Sequence, residues 1–329
     1  MADLAVVSMM RETPDVIERF IEYYRRLGAS DILIYFDGPE AERPDVAGAR
    51  FIMLTPQRLA ALGSVGDALS DRQQCCFRDA YDHRVSADWM LVVDADEFVF
   101  GDCSLQELLD AVPDQVEAVV FPTAEAVWGP GDDPLEAFGC TVFRTPWKGR
   151  GPRARLARAV YGSLAPLLQN GVMGHSNGKH MVRTGRGIPF VGVHRSKRDG
   201  KDLTVPVARL GARFAGFRLG HFDAISKARW EVKWRHRIDG VITNPLGTET
   251  RRKQMKLVAA ALAAGDGTAM FRRFYGLNRV QYSVLRALGL CFRRTGLFEP
   301  APDQGLADQS RPMRSTSSEN NAASSTAVM

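Results

Sequence analysis

The sequence lacks the features that mark several common classes of protein. Its five cysteines are odd in number and show no C-x-x-C spacing, which argues against a disulfide framework and against a structural zinc site. No apolar run approaches the roughly 20 residues that a membrane-spanning helix needs. The opening residues Met1-Ala2-Asp3-Leu4 lack the basic region and the apolar stretch of a secretory signal. We therefore expect a protein of the reducing cytoplasm.

Two glycine-rich fingerprints of nucleotide binding are also absent. The first predicted strand, Leu4 to Met9, is followed neither by G-x-G-x-x-G nor by G-x-x-x-x-G-K. These patterns bring backbone amides close to a dinucleotide or to the phosphates of a nucleoside triphosphate. Their absence argues against a dinucleotide-binding dehydrogenase and against a P-loop enzyme.

Charge is distributed very unevenly along the chain. Residues 1–140 hold 10 Lys+Arg and 27 Asp+Glu, whereas residues 141–329 hold 33 Lys+Arg and 11 Asp+Glu. The acidic part suits a bound cation, and the basic part suits phosphates, an acidic acceptor or an anionic membrane surface. The two parts could equally neutralise each other when they pack together. The basic run from Arg144 to Arg158 contains one aromatic residue, Trp147, too few to stack the bases of a nucleic acid.

Short apolar strands alternate with amphipathic helices in the first hundred residues. Predicted helices run from Pro14 to Leu27 and over 66–85, and the predicted strands are Leu4 to Met9, Asp31 to Phe36, Phe51 to Leu54 and Met90 to Val93. This order predicts an α/β fold with a doubly wound, mostly parallel sheet and helices on both faces.

Three acidic residues interrupt the apolar run that begins at Trp89. The strand Met90 to Val93 ends at Asp94-Ala95-Asp96-Glu97, and ligands of open α/β sheets bind beyond the carboxyl ends of the strands. Carboxylates at i and i+2 can direct oxygens toward one hard cation such as Mn²⁺ or Mg²⁺. The alternative is that a polar loop simply follows the strand and that its acids only face solvent.

Five motifs follow one another in residues 4–100. A strand leads into an arginine turn, a helix of the type WIEYHRxLG and a strand ending in Asp. A glutamine-rich helix and W-(apolar)₄-DxDEF come next. The segments are Met10-Arg11-Glu12, FIEYYRRLG from Phe20 to Gly28, Ile34-Tyr35-Phe36-Asp37, RQQCCFR from Arg72 to Arg78, and Trp89 to Phe98. In this order they resemble the glycosyltransferase family 2 superfamily, and more narrowly its branch close to family 92. Glu12-Thr13 departs from the usual Asn-Glu.

The resemblance implies a GT-A-like fold, a nucleoside-diphosphate-sugar donor and a divalent metal, Mn²⁺ or Mg²⁺. It implies that Asp96, together with Asp94, holds the metal that stabilises the departing diphosphate. Residues expected to contact the nucleotide sugar are Arg11, Asp37, Gln74, Asp94 and Lys227. The acceptor is a glycan, a lipid or a protein, and we expect no nucleic-acid partner.

Two further sets of candidates lie downstream of the acids. Asp132 and Asp133 follow a predicted strand and are candidates for the carboxylate that takes the acceptor's proton, although a Gly/Pro/Asp surface loop would look the same. A late histidine often completes the metal shell in GT-A chains. His221, in Leu219-Gly220-His221-Phe222, is our first choice and His194 the second. Either histidine could instead be a hydrogen-bonded structural residue.

We divide the chain into a GT-A-like domain (residues 1–245), a basic helical extension (246–300) and a serine-rich, disordered tail (301–329). The basic second half could make peripheral contact with the inner face of a membrane. Two other functions use similar features. A metal-dependent nucleotidyltransferase would use the same carboxylates, but it should show a glycine-rich loop after the first strand. A non-catalytic carbohydrate- or partner-binding protein with this fold would need no metal.

Overall fold

Alternating strands and helices build the first hundred residues, as the sequence predicts. The computed structural model describes residues 1–64, 68–133, 136–147, 149–240 and 249–299. The strands are β1 (Leu4–Met10), β2 (Asp31–Phe36), β3 (Arg50–Met53), β4 (Trp89–Val92), β5 (Glu97–Phe100), β6 (Ala118–Phe121), β7 (Thr123–Val127), β8 (Val142–Arg144), β9 (Lys179–Arg183), β10 (Phe190–Val191), β11 (Ser196–Arg198), β12 (Lys201–Asp202), β13 (Thr204–Pro206), β14 (Arg218–His221) and β15 (Cys291–Arg293).

The α-helices follow the strands on the amino-terminal side and dominate the carboxyl-terminal side. They are α1 (Pro14–Arg26), α2 (Pro56–Ala61), α3 (Leu69–Asp79), α4 (Leu105–Ala111), α5 (Pro152–Tyr161), α6 (Lys227–Ile238), α7 (Glu249–Ala263), α8 (Gly267–Tyr275) and α9 (Arg279–Ala287). Pro14 begins α1 and Gly28, with φ +100°, follows its end. Proline at a helix start and glycine just beyond its end are the positions that the backbone preferences of these residues favour.

The largest sheet has seven strands in the order β13-β6-β9-β4-β1-β2-β3. Strands β1, β2, β3 and β4 run parallel to one another, and β13 runs parallel to β6. Only β9, between β4 and β6, runs antiparallel to both among these strands. The α/β prediction with a mostly parallel sheet is therefore confirmed.

Both faces of this sheet are buried. On one face, Val7, Leu33 and Tyr35 pack in a core with Cys76 and Phe77 of α3. The intervening residues on the same strands, such as Val6, Ile32 and Ile34, point the other way and are equally inaccessible to solvent, because side chains alternate along a strand. Continuous apolar strands of this kind require cover on both sides.

A second sheet of five strands has the order β15-β8-β7-β14-β5. The chain passes directly into it from the first sheet, because only Val93 to Asp96 separate β4 from β5. In the register of this sheet, His221 of β14 is paired with Glu97 of β5 and with Glu125 of β7. Glu125 is in turn paired with Arg144 of β8. Four buried polar side chains thus stand in a row across four strands.

The helices after residue 249 belong to the same compact unit as the sheets, which extends from Met1 to Leu297. Gln254 of α7 donates to the carbonyl of Leu167 at 2.6 Å, and Arg251 donates to the carbonyl of Met173. The boundary that we placed near residue 245 and the predicted tail 301–329 lie outside the described residues. None of the helices in the described ranges is both long enough and apolar enough to span a membrane.

Candidate metal and nucleotide site

The site is built around the residues that leave β4. Asp94, Ala95 and Asp96 connect β4 to β5, and the chain crosses here from the first sheet to the second. Strand β14 pairs with β5 and brings His221 beside Glu97. Strand β9 pairs with β4 and begins with Lys179. The acids therefore lie at the carboxyl end of β4, in the position that α/β sheets use for ligands.

Asp94 is held by two side chains from opposite directions. Its Oδ1 accepts a hydrogen bond from Gln73 Nε2 at 2.9 Å, and its Oδ2 lies 2.9 Å from the ammonium of Lys179. The Asp94 backbone N–H donates to Glu97 Oε2 at 2.8 Å. Lys179 is fully buried, while the Asp94 side chain retains 29% of its exposure. Both oxygens of Asp94 are thus engaged by the protein itself.

Glu97 completes the buried pairing with Lys179. Its Oε2 lies 3.4 Å from Lys179 Nζ, and its Oε1 lies 2.8 Å from His175 Nε2. Burial acts to raise the pKa of Glu97, but Lys179 and His175 outweigh it and hold that pKa well below its usual range. Burial likewise acts to lower the pKa of Lys179, and its two carboxylate partners reverse the effect. Both groups stay ionised at neutral pH.

Asp96 has one engaged oxygen and one open oxygen. Its Oδ2 accepts from Lys233 Nζ at 2.8 Å. Its Oδ1 lies 3.7 Å from His221 Nε2, too far for a hydrogen bond, and among the described residues it accepts none. Asp96 thus differs from Asp94, because half of its carboxylate still faces a potential ligand partner.

Lys233 also connects Asp96 to a second buried acid, Asp223. The ammonium lies 3.0 Å from Asp223 Oδ1 and donates to the Asp223 carbonyl at 3.1 Å. Asp223 is 2% exposed, accepts a hydrogen bond from the Tyr275 hydroxyl, and lies 3.6 Å from Arg237. Burial acts to raise the pKa of Asp223, but Lys233 and Arg237 hold it well below its usual range.

Three histidine rings cluster beside these acids. His175 stacks on His221 with ring centroids 5.0 Å apart, and it contacts His194 edge-on at 4.5 Å. His194 Nδ1 bonds the carbonyl of Gly178 at 2.8 Å. Burial and the charge of Lys179 lower the pKa of His194 to about 3, so its ring is neutral at pH 7. The structure therefore brings both predicted histidines into the cluster.

Glu125, which is paired with His221 in the second sheet, holds the neighbouring segment in place. Glu125 accepts hydrogen bonds from the backbone amides of Met173 and Gly174 at 3.0 and 2.6 Å, and from Arg144 Nε at 2.7 Å. Gly174 lies so close to His221 that a Cβ there would come within 2.5 Å of the ring. The segment that carries His175 is therefore fixed against the ring of His221 by backbone contacts.

Three basic side chains of helix α6 contact the acids of the cluster. Arg229 pairs with Glu12 and Asp15, Lys233 with Asp96 and Asp223, and Arg237 approaches Asp223. These three residues are spaced four apart and share one helix face. Burial, followed by the charge of Asp96, raises the pKa of Glu12, which places this residue at the edge of the same cluster.

Two of the predicted nucleotide contacts, Arg11 and Asp37, follow the ends of β1 and β2, and a third, Gln74, lies on α3. Asp37 follows β2 and pairs with Arg72 at 2.7 Å, and the next residue, Gln73, binds Asp94. Arg11 follows β1 and pairs with Glu42. Gln74 donates to the carbonyl of Val191. Helix α3 thus links the ends of β2 and β4 through Arg72 and Gln73.

The remaining candidates make their contacts elsewhere. Asp132 accepts from the Gly129 amide at 2.9 Å and from the amide and hydroxyl of Thr141 at 3.0 and 2.7 Å, and its side chain is almost fully buried. Asp133 is exposed. Lys227 pairs with Glu231 one turn along α6. The catalytic roles of Asp132 and Asp133 and the donor-binding role of Lys227 stay predictions.

The donors around Asp96 fit a divalent cation. Asp96, His221 and Asp223 each offer a ligand atom, and these atoms lie within 4.8 Å of one another. The buried Nδ1 of His221 has no hydrogen-bond partner among the described residues, so no protein contact fixes its tautomer. A mixed oxygen and imidazole set suits Mn²⁺. Glu97, His175 and His221 form a second such group, in which Glu97 is already paired with Lys179.

Known proteins are similar to this chain only at a distance. No model of a known protein family matches it, and no curated protein does. A solved mycobacterial protein is 18% identical, with 64% of this chain and 71% of that chain covered and a TM-score of 0.32. Glucosyl-3-phosphoglycerate synthase from Mycobacterium tuberculosis, solved with Mn²⁺, UDP-glucose and phosphoglyceric acid, is 15% identical with a TM-score of 0.27. That likeness covers 55% of this chain and 56% of the synthase, less than two thirds of its length. The synthase is also solved with Mg²⁺ and UDP.

Sequence reasoning did not assign several members of the cluster to the site. They are Gln73, Glu97, His175, Lys179 and Asp223. It included Lys233 only in a row of basic residues at helical spacing that could hold the diphosphate or the acceptor, or be a basic helix face. A signal for Lys233 was present, since Trp230 and Trp234 mark the buried face of α6, and positions three or four residues from a buried tryptophan share its face. Lys179 begins a segment that resembles the family, but no local signal showed that it meets the acids, which it does because β9 pairs with β4.

Proposed function

We propose that this protein is a metal-dependent glycosyltransferase that takes its sugar from a nucleoside-diphosphate donor. The observation that carries the proposal is the open Oδ1 of Asp96, which faces His221 at the carboxyl end of β4. An oxygen and an imidazole in that position are suitable ligands for Mn²⁺ or Mg²⁺. The prediction of these two ions agrees with the ions named with UDP in the synthase structures.

The chemistry of the proposed reaction explains why such a site is useful. The departing nucleoside diphosphate gains negative charge, and a bound divalent ion stabilises that charge as a Lewis acid. The chain itself supplies cations around the same position. Lys179 is buried beside Asp94, and Lys233 and Arg237 approach from α6. The buried charge of Lys179 is already in place and needs no reorganisation when the bond breaks.

Each structural element has a distinct part in this proposal. Asp96 and His221 would hold the ion, with Asp223 next to them. Gln73 and Lys179 fix the carboxylate of Asp94 so that it presents one orientation to the donor. Arg11 and Asp37 lie at the ends of β1 and β2, where they would reach the base and ribose. The acceptor and the catalytic base stay open, with Asp132 and Asp133 as the predicted bases.

Calorimetric titration with a panel of UDP-, GDP- and dTDP-sugars tests the proposal. Each donor is titrated with Mn²⁺ and with a chelator, on the wild type, on Asp96→Asn and on Asp45→Asn. Asp45 is exposed and supplies the same chemical change away from the site. We expect one nucleotide to bind in a way that needs both Mn²⁺ and Asp96, with Asp45→Asn indistinguishable from the wild type.

The other outcomes separate the alternatives. If no donor binds in either condition, the transferase proposal is wrong, and a non-catalytic binding protein becomes the better interpretation. If a donor binds, mass spectrometry of the products distinguishes two reactions. Release of a nucleoside diphosphate indicates sugar transfer, whereas release of pyrophosphate or a nucleoside monophosphate indicates a nucleotidyltransferase.

A further inference from the structure

The ammonium of Lys233 bridges two of the three residues that could hold a divalent cation. It is 2.8 Å from Asp96 Oδ2 and 3.0 Å from Asp223 Oδ1. Those two carboxylates and His221 are the group whose ligand atoms lie within 4.8 Å of one another. A third acceptor, the Asp223 carbonyl, lies 3.1 Å from the same ammonium. Three acceptors match the three protons of an ammonium, so these two acids already share a well-bonded cation.

Several features of the structure would allow the ammonium of Lys233 to leave this position. Its side chain is 29% exposed, and a lysine carries its charge on a flexible four-carbon stem. Its departure would free one oxygen of Asp96 and one of Asp223. The charge of Asp223 would not be left unpaired, because Tyr275 donates to its other oxygen and Arg237 lies 3.6 Å away. Lys179 offers no such freedom, since it is fully buried between Asp94 and Glu97.

We propose that Lys233 is an internal competitor of the divalent cation, and that metal binding at Asp96, His221 and Asp223 requires the displacement of its ammonium. This inference rests on the proposed function and adds its regulation. A displaced ammonium needs a new anionic partner, and the diphosphate of the donor is the anion that arrives at the same site. Metal and nucleoside diphosphate therefore bind cooperatively, and Lys233 is the residue that couples them.

The coupling keeps the site closed to metal until a donor is present. Each ligand raises the affinity of the other by the same factor, because binding free energies are linked. Without Lys233, the metal no longer competes with a cation, and the diphosphate loses a partner. The proposal therefore predicts changes of opposite sign in the two affinities, which a merely structural role for Lys233 would not produce.

Mn²⁺ binding, measured through the electron paramagnetic resonance signal of the free ion, tests the proposal without any activity assay. Titrations are made with Mn²⁺ alone and with Mn²⁺ in saturating UDP. The variants are Lys233→Gln, Lys233→Arg and the matched control Arg235→Gln, which removes one positive charge from an exposed position of the same helix. Thermal unfolding of each variant verifies that it is folded.

We expect Lys233→Gln to bind Mn²⁺ alone about ten-fold more tightly than the wild type, within the usual range of coupling between two ligands. The gain from UDP should shrink in this variant. Lys233→Arg keeps the charge and should behave as the wild type, as should Arg235→Gln. Equal or weaker Mn²⁺ binding by a folded Lys233→Gln, in a protein whose wild type binds Mn²⁺ with UDP, overturns the inference alone. Absence of Mn²⁺ binding in every variant, with and without UDP, overturns the proposed function as well.

Discussion

Asp94 and Asp96 are two residues apart, yet their ion-pair partners and the number of their engaged oxygens differ. Asp94 is paired with a lysine that has no exposure, and its two oxygens are both engaged. Asp96 is paired with a lysine that is 29% exposed, and one of its oxygens is open. The first pair is buried, whereas we propose that the second rearranges. In that proposal, the DxD motif of this chain combines a structural carboxylate with a ligand-binding one.

The largest expected effect comes from breaking the buried pair. Lys179→Met leaves the charges of Asp94 and Glu97 without their shared cation in a buried place. Removing one partner of a buried ion pair typically costs about 3–5 kcal/mol, and we expect a loss of that size in the free energy of unfolding. Urea denaturation at pH 7 measures it. Lys256→Met, at an exposed position of α7, is the matched control and should change little.

A loss below about 1 kcal/mol for Lys179→Met would contradict the comparison. It would mean that Asp94 and Glu97 tolerate the loss by protonation or by contact with water. The two carboxylates would then be as adaptable as Asp96, and the division between a structural pair and a pair that rearranges would have no basis.

The second-largest effect is expected from acidification, which should lower the free energy of unfolding through His180, the residue that follows Lys179. His180 follows Lys179 on β9, bonds Ser196, and also faces His194 and Asp202. Burial and the charge of Lys179 lower its pKa to about 3, against about 6.5 in an unfolded chain. Between these values the unfolded chain binds more protons, so stability falls as pH falls. From pH 7 to pH 5 the expected loss is about 2 kcal/mol from this group.

Paired denaturation curves at pH 7 and pH 5 measure this loss. His180→Gln should reduce the difference between the two curves, because the replacement does not titrate. The exposed His236 provides the control, and His236→Gln should leave the difference unchanged. If His180→Gln shows the full wild-type difference, the acid sensitivity has another origin, with His194 as the first group to examine.

The sequence predicted the parts of this arrangement that depend on local signals. The strand ending at Asp94 and the helix beginning at Pro14 need only the pattern of apolar residues and a proline. The α/β order and the mostly parallel sheet followed from the same kind of signal. His221 was chosen because its segment resembles the family, in which a late histidine often completes the metal shell.

The pairing of charges could not be predicted in the same way. Lys233 and Asp96 are 137 residues apart, and only the assembled sheets bring them together. The basic face of α6 was visible in the spacing of Arg229, Lys233 and Arg237. Spacing alone does not show whether such a face meets water, phosphate or the protein's own acids. The strongly opposite charges of the two halves of the chain have their physical counterpart in these contacts.

A substitution at Gly174 should disturb the open side of the site. A Cβ at this position would lie 2.5 Å from His221 Cε1, so the ring must move. We expect Gly174→Ala to lower the free energy of unfolding by about 1.5 kcal/mol, as overpacking commonly does, and to weaken Mn²⁺ binding in the presence of UDP. Gly151→Ala is the control, because a Cβ there would meet open space. Unchanged Mn²⁺ affinity in Gly174→Ala would argue against His221 as a ligand.

The smallest change in stability is expected at Lys233, although we expect its replacement to change Mn²⁺ binding. Lys233→Gln removes a partly exposed cation, and Asp223 keeps its contacts with Tyr275 and Arg237. Partly exposed ion pairs contribute little, so we expect a loss of about 1 kcal/mol or less in the free energy of unfolding. Urea denaturation of Lys233→Gln beside Lys179→Met measures the contrast directly. Equal losses would show that both lysines are structural, and that the two aspartates of the motif differ in geometry but not in freedom.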